Sequence, residues 1–239
     1  MARIDSLKDR MIKERNYWFL QDPVASSNKE CLEILKQKQI NRPFVLKRID
    51  QIINAKKSIF SSPFCKKSVC LIGHSQLDQW QVDVLAGYKV RNCSVSGITS
   101  FEYNEKILNN GLLNCNANCF IVMHGTNDVV WDYNISEIVD SIQITIEYIR
   151  QRNEKAPIIF LSCLHVNGRF DRSNTRIDEL NSQLFLALNA EVIWLDTTFM
   201  DNIKGALDEN YTTDGLHLTN AGYGMLQNSI EEKMKEIGL

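Results

Sequence analysis

Ser68-Val69-Cys70-Leu71-Ile72-Gly73-His74-Ser75-Gln76 is the stretch whose reading decides the fold. Its first five residues form a short, largely apolar run without alternation, and a glycine then breaks it. Such a run suits a strand buried on both faces, as in a parallel sheet. Three further runs have the same character, at residues 119–123, 158–163 and 192–195, and the more polar run at 88–91 also reads as a strand. Between them the period changes. Ile135, Ile138, Val139, Ile142, Ile146 and Ile149 form one helical stripe, Ile177, Leu180, Leu184 and Leu188 another, and a last helix is expected from about Ala221. Strands alternating with helices predict an α/β fold with a five-stranded parallel sheet covered on both faces. In such sheets ligands bind beyond the carboxyl ends of the strands, so a candidate site residue must lie just after a strand.

Upstream of this region the composition changes. The net charge of -2 hides a split: residues 1–66 carry 14 Lys/Arg against 7 Asp/Glu, and residues 67–239 carry 13 against 22. All 11 glycines lie after residue 66. Two regions are therefore expected, a helical arm or connector at 1–66 and a main domain at 67–239. In the arm, Leu32, Leu35 and Gln39 share a helical face. Asn41-Arg42-Pro43 should then interrupt, because proline lacks an amide and disfavours helix before it. A second helix is expected from there, with Val45, Leu46, Ile49, Ile52, Ile53, Ile59 and Phe60 on its apolar stripe and Pro63 ending it. That arm has three candidate partners: its own domain, a second subunit, or another neighbour.

A hydrophobic share of 44% and a charged share of 23% exclude wholesale disorder and fibrous repeats. No run of about 18 apolar residues exists, so no membrane helix is expected. Met1 to Arg15 lacks a signal-peptide core. The seven cysteines form no C-x-x-C pair, and Cys70, Cys119 and Cys163 sit in apolar runs. They read as reduced thiols of a cytoplasmic protein.

Four segments carry candidate chemistry at strand ends. In Gly73-His74-Ser75, a serine at a strand-to-helix turn exposes its hydroxyl at the mouth of the sheet, unless it serves only as a helix cap. In Ser96-Gly97 the glycine can offer an unshielded amide or simply satisfy a turn. In Gly125-Thr126-Asn127-Asp128 the Asn127 side chain can donate to an oxyanion. In Asp214-Gly215-Leu216-His217, the carboxylate can hold the imidazole tautomer while the other ring nitrogen accepts a proton from serine. Each segment alone has a structural reading. Together they supply a nucleophile, a base, its orienting acid and oxyanion donors.

These four ordered blocks resemble the SGNH, or GDSL-like, hydrolase family over about residues 68–235. The resemblance implies a flavodoxin-like three-layer α/β/α sandwich, which the strand count also suggests. It implies Ser75 as nucleophile, His217 as base and Asp214 as its orienting acid. The Gly97 amide, the Asn127 side chain and the Ser75 amide would form the oxyanion hole. The family's usual Asp before the serine is His74 here, which marks a subfamily. Leu71 to Ser75 with Asp78 and Trp80, residues 95–100, residues 168–172 and Tyr211 through Tyr223 resemble the O-acetylesterase domain of bifunctional bacterial CMP-sialic acid synthetases. That domain removes acetyl groups from O-acetylated sialic acid. A glycine-free arm cannot supply the nucleotide loop of a synthetase half, so the esterase alone is expected.

A sialic acid carries a carboxylate, and the excess of acidic residues in 67–239 disfavours long-range attraction of anions. Local cations are therefore needed. Arg169 and Arg172, after the fourth strand, are the candidates, since guanidinium grips carboxylate with two hydrogen bonds. His74, His165 and Trp131 are further candidates for the pocket wall, whereas His124 reads as structural. The expected partner is a small O-acetylated sugar, with no metal, cofactor, nucleic acid or membrane, and with a homo-oligomer through the arm left open. Two other readings stay open: an acetyltransferase or esterase acting on another surface polysaccharide, and a non-catalytic interaction module.

Overall fold

The buried runs read from the sequence assemble side by side in the computed structural model, which describes residues 29–63, 67–131, 133–169 and 171–239, with residues 29–39 as backbone. Met1 to Arg15, the side chains of Leu32, Leu35 and Gln39, and Phe170 lie outside the described residues. The first described elements are helices α1 (Lys29–Ala55) and α2 (Lys57–Phe60). Strand β1 (Ser68–Gly73) follows, then the single turn α3 (Ser75–Asp78), β2 (Val84–Leu85) and β3 (Tyr88–Asn92). The remainder alternates: α4 (Ser100–Tyr103), β4 (Cys119–Met123), α5 (Ile135–Arg152), β5 (Ile158–Leu161), α6 (Asn174–Leu188), β6 (Ile193–Leu195) and α7 (Asn220–Glu236).

The sheet has six strands in the order β2-β3-β1-β4-β5-β6 rather than the five expected. Five are parallel, and the extra one, β2, pairs antiparallel with β3 on the edge. Its connection is Ala86-Gly87, with φ of 48° and 80°, the positive pair that a tight two-residue hairpin demands. Two residues of strand are too few to show a period, which is why the sequence reading missed it.

Alternate strand residues feed two cores. Cys70, Ile72, Phe120, Val122 and Phe160 face α5 and α6 through Ile138, Ile142, Ile146, Ile177 and Leu180. Val69, Leu71, Ile121, Met123 and Ile159 face α7 through Leu226, Ile230 and Met234. This is the expected three-layer sandwich. The chain passes from β1 outward to β3 and then returns to β4 on the other side of β1. The order therefore reverses between β1 and β4, and the crevice at their carboxyl ends is where α/β folds place ligands.

The arm departs from expectation in one way. Helix α1 runs unbroken through Pro43. The lost amide bond costs the helix about 3 kcal/mol, and the packing of the turns that follow offsets it. Ile49 and Phe60 are fully buried and join Ile53 in the same core as the sheet. The carboxyl-terminal half of the arm is thus part of the globular body. Among the described residues, no helix is long and apolar enough to cross a membrane, and Cys70, Cys93, Cys115, Cys119 and Cys163 are free and buried.

Candidate active site

Ser75 opens the single turn α3 directly beyond β1, with His74 in extended backbone at the N-cap position. Its hydroxyl lies 3.1 Å from His217 Nε2. The other ring nitrogen, Nδ1, lies 2.8 Å from Asp214 Oδ2. An ionised carboxylate only accepts, so Nδ1 carries the proton and Nε2 is left with a lone pair facing the serine. Burial alone would raise the Asp214 carboxyl. Hydrogen bonds from the His217 amide and ring and from the Leu216 amide outweigh it and hold the group down at about 2. Asp214 is therefore ionised at any physiological pH.

The loop carrying this pair is shaped by Gly215, at φ +77°, where a Cβ would lie 1.8 Å from the Asn167 carbonyl oxygen. Only glycine allows that approach. The Asn167 amide in turn donates to the Gly215 carbonyl at 2.9 Å. Gln76, a residue to which no role had been assigned, fastens the loop from below through its side-chain amide to the Leu216 carbonyl, 2.9 Å away. Tyr223, stacked on Trp80, donates its hydroxyl to the Gln76 carbonyl at 3.0 Å. The position directly after a candidate nucleophile was the available signal for Gln76.

The opposite wall gathers hydrogen-bond donors. Gly97 adopts φ +82°, and among the described residues neither its amide nor that of Ser75 has a hydrogen-bond partner. Asn127, after β4, donates through Nδ2 to the Ile98 carbonyl at 2.9 Å and accepts through Oδ1 from Arg172 at 2.9 Å. Because guanidinium can only donate, this pair fixes which end of the amide is the donor. One Nδ2 hydrogen remains available. Asp128, fully buried, accepts from the Ser100 amide at 2.9 Å and hydroxyl at 2.5 Å, tying the Gly97 loop to the Asn127 loop. Burial pushes its carboxyl up to about 6, with the Ser100 bonds only partly offsetting it.

The expected substrate-binding residues fall in different places. Arg172 is buried, donating to the Thr126 carbonyl at 2.9 Å, to Asn127 and to Asp171. Burial lowers its guanidinium to about 9, still protonated at neutral pH. It positions Asn127 instead of gripping a ligand, because its fork points inward. His74 is also corrected: it is 1% exposed, and burial, helped by the charges of His124, Arg172 and His217, drives its imidazole well below its usual range. It is neutral and sits behind the serine beside His124, which burial holds at about 3. Arg169 alone stays at the rim. Its side chain is 27% exposed, paired with Asp171 at 3.1 Å and donating to the Asp214 carbonyl at 3.3 Å. Trp131 carries the Arg42 guanidinium over its ring at 4.4 Å. His165 is clamped between Asp201 at 2.6 Å and Asp178 at 2.8 Å. Burial would lower that imidazole, but the two carboxylates prevail and raise it.

Residues 73–225 match the model of the GDSL-like lipase/acylhydrolase family. A curated relative, N-acylneuraminate cytidylyltransferase of Escherichia coli O18:K1:H7, is 36% identical over 207 residues, covering 86% of this chain and 48% of that protein. The chain thus spans about half the length of that relative. Among solved structures, a protein from Streptococcus pneumoniae matches with a TM-score of 0.73 at 23% identity, covering 83% of this chain and 98% of its own. A GDSL-like lipase from Bacteroides thetaiotaomicron matches at 0.64 and 20% identity, covering 78% and 97% respectively. At these identities the two structures bear on the fold alone.

Proposed function

The chain belongs to the GDSL-like lipase/acylhydrolase family, and from that premise we propose that it is a serine esterase that removes O-acetyl groups from sialic acid or a related nonulosonic acid. The observation that carries the catalytic part is the line from Asp214 through His217 to Ser75, at 2.8 and 3.1 Å. His217 Nε2 takes the Ser75 proton as Oγ attacks the acetyl carbonyl. The carbonyl oxygen becomes an oxyanion held by the Ser75 and Gly97 amides and by Asn127 Nδ2. Collapse breaks the ester bond, and the sugar alcohol leaves with the proton from His217. Water, deprotonated by the same nitrogen, then attacks the acetyl-serine and releases acetate and free Ser75. Asp214 keeps the ring in one tautomer and stabilises the imidazolium between the steps.

The substrate part is supported by the 36% identity to a protein named for an N-acylneuraminate. Arg169 is the rim cation suited to the sugar carboxylate. The test is acetate release from O-acetylated sialic acid by wild type and by Ser75→Ala, beside acetylated xylan fragments and short-chain lipid esters. Release by wild type alone, fastest on the sialic acid, is expected. Equal release by Ser75→Ala sinks the nucleophile, and preference for xylan or lipid esters sinks the substrate.

A further inference from the structure

The proton relay does not explain why a lysine from the arm reaches the floor of the site. Lys56, in the turn between α1 and α2, places its ammonium 2.9 Å from the Ser94 carbonyl and 3.3 Å from the Asn92 carbonyl. It also pairs with Asp78 Oδ1, and the two side chains are only 18% and 11% exposed. Asp78 ends the single helical turn that Ser75 begins. Its second oxygen accepts from the Ser96 amide at 2.8 Å and from the Ser96 hydroxyl. Gly97 is the next residue. Asp78 therefore joins the element that carries the Ser75 amide to the loop that carries the Gly97 amide. From the other side, α1 lies beneath the loop: a Cβ on Gly97 would stand 3.2 Å from Val45 Cγ1 and 3.9 Å from Ile49 Cγ1. The loop is held between an ion-paired clamp and an apolar shelf, and the arm supplies a part of each.

We propose that Lys56 is a positioning residue of the oxyanion hole, setting the spacing of the Ser75 and Gly97 amides through Asp78 and the 92–96 backbone. The physical reason is local. Without the ammonium, the Asn92 and Ser94 carbonyls lose a charged donor, and Asp78 keeps a half-buried charge with no cation against it. Those carbonyls would turn toward water, and the peptide planes leading into Gly97 would turn with them. Bonds to an oxyanion form fully only in the transition state, so a displaced donor lowers kcat more than it changes substrate binding. The compact ammonium meets three oxygens at once, a task for which a planar guanidinium is poorly shaped.

The inference rests on the serine esterase reading, so its test avoids sugar recognition. Hydrolysis of p-nitrophenyl acetate and the rate of phosphonylation by a fluorophosphonate, whose P=O oxygen enters the oxyanion hole, are measured for wild type, Lys56→Met and Ser96→Ala. Lys56→Met should lower kcat and the phosphonylation rate together, by about 10- to 100-fold, with KM within about twofold. Ser96→Ala, which removes one hydroxyl bond and strands no charge, should lower both by about threefold. Unchanged rates in folded Lys56→Met, or an effect on KM alone, overturn the proposal. If Lys56→Met does not fold, Ser96→Ala decides it: a parallel loss supports the clamp and unchanged kcat overturns it. Wild type that neither hydrolyses nor labels would instead remove the Ser75 reading, and the clamp with it.

Discussion

The two walls of the site are built in opposite ways. On one side, His217 and Asp214 sit on a loop with side chains 31% and 40% exposed. On the other, Asn127, Asp128, Ser100 and Arg172 are buried and joined by charged hydrogen bonds. On the proposed mechanism, the difference follows from what each wall would do. A base that gives a proton to a departing alcohol and then takes one from water needs access to the mouth. Donors that stabilise charge work best when fixed in advance and shielded from water, where no reorganisation is required at the moment of reaction. Mutations in the exposed wall should therefore cost activity without stability, whereas those in the buried wall should cost both.

His217→Ala gives the largest expected effect and tests the first half of that contrast. Its kcat should fall by about 10⁴-fold or more, with stability within about 0.5 kcal/mol of wild type in urea titrations. A large loss of stability would mean that the loop is a structural element. Arg172→Met tests the second half. It leaves Asp171 buried with a weaker partner and frees Asn127 to turn, so unfolding should cost about 3–5 kcal/mol less and kcat should drop about 100-fold. Loss of one without the other would separate positioning from folding.

Asp128→Asn probes the buried wall by pH. Because the folded state holds the Asp128 proton more tightly than the unfolded chain, wild type loses stability as pH rises from about 4 to about 6, and the penalty stays constant above that. The neutral amide escapes this titration. Its stability relative to wild type should therefore rise across that window by on the order of 3 kcal/mol, read from urea midpoints at several pH values. A difference independent of pH would show that Asp128 does not titrate there. The smallest effect belongs to Arg169→Ala: KM for an O-acetylated sialic acid should rise about 10-fold, with no change for a neutral acetyl ester. Equal changes for both esters would place Arg169 in loop structure and not in recognition.

Much of this site is legible in the sequence. Ser75 and Asn127 each follow an apolar strand run, Gly97 follows a more polar one, and Asp214 and His217 precede a helix at a spacing that lets one hold the other. Those signals are local. Side-chain direction is not: Arg169 and Arg172 are three apart on one loop, yet one reaches the rim and the other turns in to Asn127. The same holds for His74, whose exposure depends on how β4 packs beside β1. Helix α1 passed through Pro43 because tertiary packing outweighed a local rule, and Lys56 gained its place only when the arm folded against the loop at 92–97. Local patterns reveal the groups that react, whereas the residues that hold them depend on contacts distant in sequence.

The relay itself is tested most directly by mapping a fluorophosphonate adduct by peptide mass spectrometry in wild type, Ser75→Ala and His217→Ala. One adduct on Ser75 in wild type is expected, with none in Ser75→Ala and a rate lower by several orders of magnitude in His217→Ala. An adduct on a different serine, or labelling of Ser75 at an unchanged rate without His217, would contradict a nucleophile activated by that histidine.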